Sequence, residues 1–372
     1  MNKHRIAIIA GDGIGKEVIP AGLDVLRAAA EVCGFQLEVE DFPWGCDYYL
    51  RTGRMMDEDG LERLRDFPVI YLGAIGDPAR VPDHISLRDL LIKIRQNFDQ
   101  YINLRPIKLL AGTQSPLRGK GASEIDFVCV RENSEGEYCG WGGRLKQGTP
   151  DEVAEQTVIF TRRGVERVLR YAFDLARQRR KRLASATKSN AMQYTMVMWD
   201  DICREVARDY PDVVVTPYHV DALAARFVLQ PESLDVVVGS NLFGDILTDL
   251  GGALQGSLGI PASANLNPER RFPSLFEPVH GSAPDIAGRG IANPTAAIWA
   301  GAMMLEHLGE KDAAELVMNA LERALEMGRV RTPDLGGSNL TVEMAAEVIT
   351  LIRRFAERDG DSTSDTSMRN HR

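Results

Sequence analysis

Short, almost unbroken apolar runs alternate along the chain with longer segments whose apolar positions recur every three to four residues. The runs at 6–10 (IAIIA), 69–72 (VIYL), 125–131, 183–186, 213–216 and 234–238 (LDVVV) predict buried strands. Residues 35–41 alternate apolar and polar, as a strand with one wet face does. Helical periodicity predicts helices over 16–33, 56–65, 87–100, 164–180, 191–210, 222–229, 295–308, 312–328 and 341–357, with another starting at 241. Strands interleaved with helices predict an α/β architecture and a largely parallel sheet. The glycine-rich stretch 136–150, with Tyr138 and Trp141, runs into an alternating stretch at 153–161; together they read as an extended arm. Residues 256–276 read as loops, and 101–106, after the helix, are given no element. Positions 361–372 are polar, so a disordered tail is expected there. No internal repeat is visible.

At 372 residues the chain suits about two domains. A hydrophobic content of 44% and a charged content of 26% are those of a globular protein in water. The net charge of −9 argues against nucleic acid or an acidic membrane surface as the main partner, while leaving room for a small anion held by local arginines. Five scattered cysteines without a CxxC pair fit a reducing compartment rather than a disulfide framework or zinc site. No signal-peptide pattern opens the chain, and no apolar run nears the roughly 18–20 residues that span a bilayer. A cytoplasmic location is expected.

Chemistry concentrates in a few short segments. Asp245 and Asp249 stand at i and i+4 on a predicted helix, so their carboxylates share a face and repel each other. A hard divalent cation would offset that repulsion; a solvated acidic helix face is the plainer explanation. Arg95, Arg105 and Arg131 each fall near the end of a predicted element, and three forked guanidiniums suit a small dicarboxylate, though singly each reads as a surface ion-pair partner. Tyr138, seven residues beyond Arg131, would serve as an acid if nearby cations lowered its pKa. Lys188, in TKSN after a strand, would serve as a base if a cation and arginines depressed its pKa; otherwise it is a loop lysine. Asp221, in HVD, is a third carboxylate for a cation or simply a helix cap. Gly11-Asp12-Gly13-Ile14-Gly15 has GxGxG spacing rather than GxGxxG, which favours a tight turn over a Rossmann fingerprint. In the block 277–294, small residues admit close approach of a nucleotide to backbone amides, and Asp285 could accept ribose hydroxyls, which would favour NAD over NADP.

These segments together resemble the isopropylmalate/isocitrate dehydrogenase family of β-decarboxylating dehydrogenases. The pieces that carry the resemblance are GDGIGKEV (11–18), Arg95 with YINLRP (101–106), RENSEGEY (131–138), TKSN (187–190), HVD (219–221), NLFGDILTD (241–249) and EPVHGSAPDIAG with IANP (277–294), in the family order over about 5–355. Residues 83–87, 98–101 and 263–269 are most similar to the branch of that family acting on D-malate and tartrate. Where isopropylmalate enzymes carry an acidic residue, this chain has Arg88, followed by Leu91 and Ile92, so a polar substrate substituent is expected there.

The resemblance implies an isopropylmalate dehydrogenase-like α/β fold of two domains, with a large mixed sheet flanked by helices and no Rossmann fold. The large domain would comprise 1–105 and 260–360; the central domain, 106–259, would provide dimerisation and metal binding, with the arm 136–160 clasping the partner. Metal ligands would be Asp245 and Asp249, with Asp221 from the other subunit; the ions would be Mn²⁺ or Mg²⁺, and K⁺. Arg95, Arg105, Arg131 and Arg88 would bind substrate, Lys188 and Tyr138 would act as base and acid, and Asp221 would share in catalysis. NAD would meet Ile14, Glu277, His280, Gly281, Ser282, Ala283, Asp285 and Asn293. The expected activity is metal-dependent oxidation, with β-decarboxylation, of a 2-hydroxy dicarboxylate by a homodimer or tetramer with shared active sites; 3-isopropylmalate dehydrogenase is the alternative. A phosphohydrolase built on the three aspartates would leave 277–294 without a use. A non-catalytic regulatory subunit would be expected to lack Lys188, Tyr138 or a metal aspartate.

Overall fold

The computed structural model describes the backbone of residues 2–367 and the side chains of residues 2–357. Its strands are β1 (Lys3–Gly11), β2 (Gln36–Asp41), β3 (Val69–Ala74), β4 (Ile102–Lys108), β5 (Asp126–Glu132), β6 (Gly142–Leu145), β7 (Val153–Gln156), β8 (Arg182–Thr187), β9 (Val214–His219), β10 (Val236–Gly239), β11 (Ala262–Leu266) and β12 (Ser274–Pro278). Ten of them form one sheet in the order β2-β1-β3-β12-β11-β4-β5-β10-β8-β9. Pairing is parallel on both flanks. It is antiparallel through the middle, from β12 to β11, β4 and β5. The sheet is therefore mixed, and the parallel sheet read from periodicity holds only for its flanks.

The inner strands of the flanks form because their side chains are apolar on both faces, while the edge strands β2 and β9 keep one face wet. Along β1, Ile6 and Ile8 join one apolar cluster while Ala7 and Ile9 join another on the opposite face; Val69 and Tyr71 divide from Ile70 and Leu72 in the same way along β3. Helices Gly15–Cys33, Thr295–Leu308 and Lys311–Met327 cover the first face. The middle strands behave differently. Cross-strand register puts Arg131 opposite Asn103, Asn103 opposite Asn265, and Ser263 opposite Glu277, so all of these, with Arg105, share one face. That face is buried yet polar. The hydrophobic pattern consequently gives no strand at 102–108, 262–266 or 274–278, where the structure has three.

Other boundaries shift as well. Helix 56–65 shrinks to Gly60–Leu64, and Cys46–Thr52 forms a helix that periodicity did not predict. The predicted helix 87–100 is a turn of α-helix at Asp83–Ser86, a π-helical stretch at Leu87–Ile92 and α-helix again at Lys93–Asn97. The domain limit expected at 105/106 falls inside β4, and the sheet runs on across it. The arm exists as an antiparallel ribbon of β6 and β7, exposed throughout. The last helix, Thr341–Ser367, continues into the stretch expected to be disordered, of which 368–372 lie outside the described residues. Among the described residues no helix is long and apolar enough to cross a membrane, and all five cysteines are free.

Candidate active site

The polar face of the middle strands is the floor of a cavity of about 300 Å³. Helix Asn241–Leu254 lies over it, capped by the Ser240 hydroxyl, which accepts the Phe243 N–H. Gly244 allows this close approach, because a Cβ there would collide with the side chain of Arg131. Asp245 pairs with Arg131, stands 3.6 Å from Arg105, and accepts the Tyr138 hydroxyl at 3.1 Å. Asp249, one turn on, is also 3.6 Å from Arg105, whose Nη1 donates to the Thr248 hydroxyl at 2.6 Å. Arg95 enters from the opposite wall and donates to Glu277 at 2.7 Å. Leu87, Leu91 and Ile92 complete the lining from the π-helical stretch.

The expected arginine trio is thus assembled from three successive elements, the helix Lys93–Asn97 and strands β4 and β5. Burial, and then repulsion from Arg105, pushes the Arg131 pKa down to about 10, while Asp245 pulls it up. Burial lowers that of Arg105 too. Both remain cations at neutral pH, and crowded, desolvated cations favour an anion between them. Tyr138 departs from expectation. Partial burial and Asp245 raise its pKa against the pull of Arg131, so it is a weaker acid here than a free tyrosine. Asp249 is raised by partial burial and, less, by Asp245; that is the repulsion a cation would relieve.

Lys188 and Asp221 do not join this group. Lys188, just beyond β8, donates to Asp221 at the start of helix Val220–Leu229 across 2.6 Å, and that contact lowers the Asp221 pKa. Among the described residues of one chain, no three His, Cys, Asp or Glu side chains are grouped to hold a metal ion. Arg88 is also elsewhere: it is exposed, outside the cavity lining, beside Gly140 at the root of the arm.

A second, mostly apolar cavity of about 720 Å³ shares Val279 and His280 with the first. Ile14, Gly281, Ala283 and Asn293, named above for NAD, line it. The Gly11–Gly15 turn is pressed against the 281–283 loop: Ile14 N donates to Ser282 O at 2.9 Å, and Gly13, at φ 51°, leaves no space for a Cβ beside that carbonyl. Three residues expected here lie outside this cavity. Glu277 belongs to the first cavity with Arg95, Ser282 faces a neighbouring one, and Asp285 is exposed on the loop. Besides Asp249, the lining holds a second acidic group, Asp334, which motif reasoning missed; it accepts Asn293 Nδ2 at 2.8 Å and the Ser257 hydroxyl. Its only signal in the sequence is the turn TPDLGG (332–337). Burial pushes the His280 pKa below the usual imidazole value, and its Nε2 has no partner.

Asp245 lines the first cavity and Asp249 the second, so a reaction centre would straddle their shared wall. The isocitrate/isopropylmalate dehydrogenase family model matches residues 5–350. The chain belongs to that family. It is 54% identical over 361 residues to D-malate dehydrogenase [decarboxylating] of Escherichia coli (strain K12), covering 95% of this chain and all of that one. It is 54% identical over 362 residues to the tartrate dehydrogenase/decarboxylase of Pseudomonas putida, covering 95% and 99%. The crystal structure of isocitrate dehydrogenase from Methylococcus capsulatus superposes with a TM-score of 0.84 at 37% identity, covering 94% of this chain and 99% of that one. As a member of this dehydrogenase family, the chain is an oxidoreductase of the isocitrate/isopropylmalate dehydrogenase fold.

Proposed function

We propose that the protein catalyses NAD- and divalent-metal-dependent oxidation and β-decarboxylation of a 2-hydroxy dicarboxylate, D-malate or tartrate. The observation that carries this is the convergence of Arg95, Arg105 and Arg131 with Asp245 on a cavity of about 300 Å³. The names of the two relatives support the choice of substrate.

The donor set fits a hard cation: Asp245 and Asp249 offer carboxylate oxygens on one helix face, and Asp221 of the partner subunit would add a third. The large cavity fits a dinucleotide, with apolar walls, a polar patch where Asn293 meets Asp334, and the unpartnered His280 Nε2. Asp334 inside and Asp285 on the loop would both repel a 2′-phosphate, which favours NAD. When bound, the cation supplies Lewis acidity at the hydroxyl and keto oxygens, and NAD accepts the hydride.

The protein's own groups do the rest. The three arginines hold the carboxylates and fix the hydroxyl-bearing carbon toward the Val279–His280 wall. Lys188 of the partner subunit takes the hydroxyl proton. Leu87, Leu91 and Ile92 keep water from the carbon that loses CO₂. Tyr138, already hydrogen-bonded beside Asp245, returns a proton to that carbon.

A homodimer with shared sites follows from this assignment. Ile246 is 59% exposed between the two aspartates, and Tyr194, Leu229 and the arm residues Trp141 and Leu145 are exposed apolar groups that a second copy would cover. The apolar wall of Leu87, Leu91 and Ile92 also favours a second reading, 3-isopropylmalate, whose alkyl group it would fit. NADH formation with Mn²⁺ on D-malate, the tartrate isomers, 3-isopropylmalate and isocitrate separates the readings. Turnover restricted to 3-isopropylmalate would replace the first by the second, and no turnover on any of them would sink both.

A further inference from the structure

Beneath Arg95 lies a layer of neutral polar side chains for which the reaction has no direct use. Asn103, Asn133, Ser263 and Asn265 are each at most 5% exposed. Asn265 is the hub of this layer. Its Nδ2 donates to Glu277 Oε1 at 2.6 Å, and its Oδ1 accepts from Asn103 Nδ2 and Asn133 Nδ2, both at 2.9 Å. Asn103 Nδ2 also reaches the Ser263 hydroxyl at 2.8 Å, and Asn133 Nδ2 reaches the Gln100 carbonyl at 2.9 Å. The Glu277 oxygen that Asn265 holds is the one that takes Arg95 Nη2.

The bonding fixes the orientation of the central amide. Turned over, Asn265 would set NH₂ against two NH₂ groups and its carbonyl oxygen against a carboxylate. Burying four polar side chains is costly unless their bonds are made, and apolar residues such as Ile70 and Leu275 fill the neighbouring part of the same sheet face. The layer therefore contributes geometry more than stability. With one oxygen shared between Asn265 and Arg95, the Glu277 carboxylate cannot swing without breaking a charge-assisted bond in a dry setting. Arg95 Nε, buried and without a partner, marks a guanidinium held at one end only.

We propose that Asn265 is a positioning residue that sets, through Glu277, the angle at which Arg95 presents its free N–H groups to a substrate carboxylate. This rests on reading the cavity as a dicarboxylate site. The test is calorimetric titration of D-malate, and of malonate as a dicarboxylate without the hydroxyl, into the Mn²⁺-loaded enzyme without NAD. Wild type, Asn265→Ala, Arg95→Ala and the double variant complete a cycle. Asn265→Ala should weaken both ligands about tenfold, the scale of one charge-assisted hydrogen bond. In the Arg95→Ala background it should weaken them hardly further, and it should leave the KM for NAD and the saturated kcat near wild type. A purely structural role would lower Tm without this dependence on Arg95. Unchanged affinity for Asn265→Ala, or effects that multiply in the double variant, would overturn the proposal. Should Asn265→Ala fail to fold, Asn265→Ser carries the same cycle. A wild type that binds malonate yet oxidises no hydroxy acid would refute the function above and leave this cycle decisive. A wild type that binds neither ligand overturns both.

Discussion

The side-chain oxygen of Asn241 accepts two N–H groups of Arg131, from Nε at 3.1 Å and from Nη2 at 2.8 Å, leaving Nη1 to meet Asp245. A neutral acceptor on the first turn of the helix thus aims a buried cation at a carboxylate one turn further on. Asn241→Leu keeps the volume and removes the acceptor. Two buried donors are then orphaned, and a loss of about 2–4 kcal/mol is expected. Urea unfolding at fixed protein concentration measures it, and the KM for the hydroxy acid should rise as well. Wild-type values for both would show that Arg131 needs no such holder.

If Lys188 and Asp245 act on the same substrate from different subunits, two inactive variants should complement. Lys188→Ala and Asp245→Asn are each expected to lose oxidation. Equal co-expression should restore about a quarter of wild-type activity, because half the dimers are mixed and each mixed dimer holds one intact site. Activity no higher than in either parent would show that the two groups do not meet across a subunit interface.

Asp334 lines the large cavity together with Asp249. Its charge should bias the enzyme against a 2′-phosphate, so Asp334→Ala should narrow the preference for NAD over NADP by about tenfold, one close charge repulsion's worth. Comparison of kcat/KM for the two nucleotides is the measurement. An unchanged ratio would assign the discrimination to Asp285.

His307 packs against Phe276, with ring centroids 5.5 Å apart, and burial together with Arg270 lowers its pKa from 6.5 to about 4. The unfolded chain binds a proton near pH 6.5 that the folded chain refuses until about pH 4. Stability should therefore fall as pH drops through that window, with His280 shifted in the same direction. The urea midpoint of wild type should drop between pH 7 and pH 5, and His307→Gln should drop less. Parallel curves would show that His307 is not the group responsible.

Much of the candidate site was legible because its chemistry sits in contiguous motifs. Asp245 and Asp249 share a helix face by spacing alone, and residues 277–294 announce a backbone that must approach something closely. The flanking strands were legible for a related reason: residues such as Ile6, Ile8 and Tyr71 are apolar wherever they point, so the pattern needs no partner to be read. Family membership came from the order of these local signals along nearly the whole chain.

What only the tertiary structure decided is the polar face between them. Asn103, Ser263 and Asn265 look like loop residues in sequence because a buried amide is stabilised by groups far away along the chain, and no local period records such partners. The same reason separates Arg88, which points out to the arm, from Arg95 seven residues on, which Glu277 holds inward. It also explains why Asp334 was hidden while Asp285 was conspicuous, and why Tyr138 is a weaker acid than its cationic neighbours implied. Hydrophobic periodicity determined where the chain buries carbon; long-range hydrogen bonding determined which charges meet.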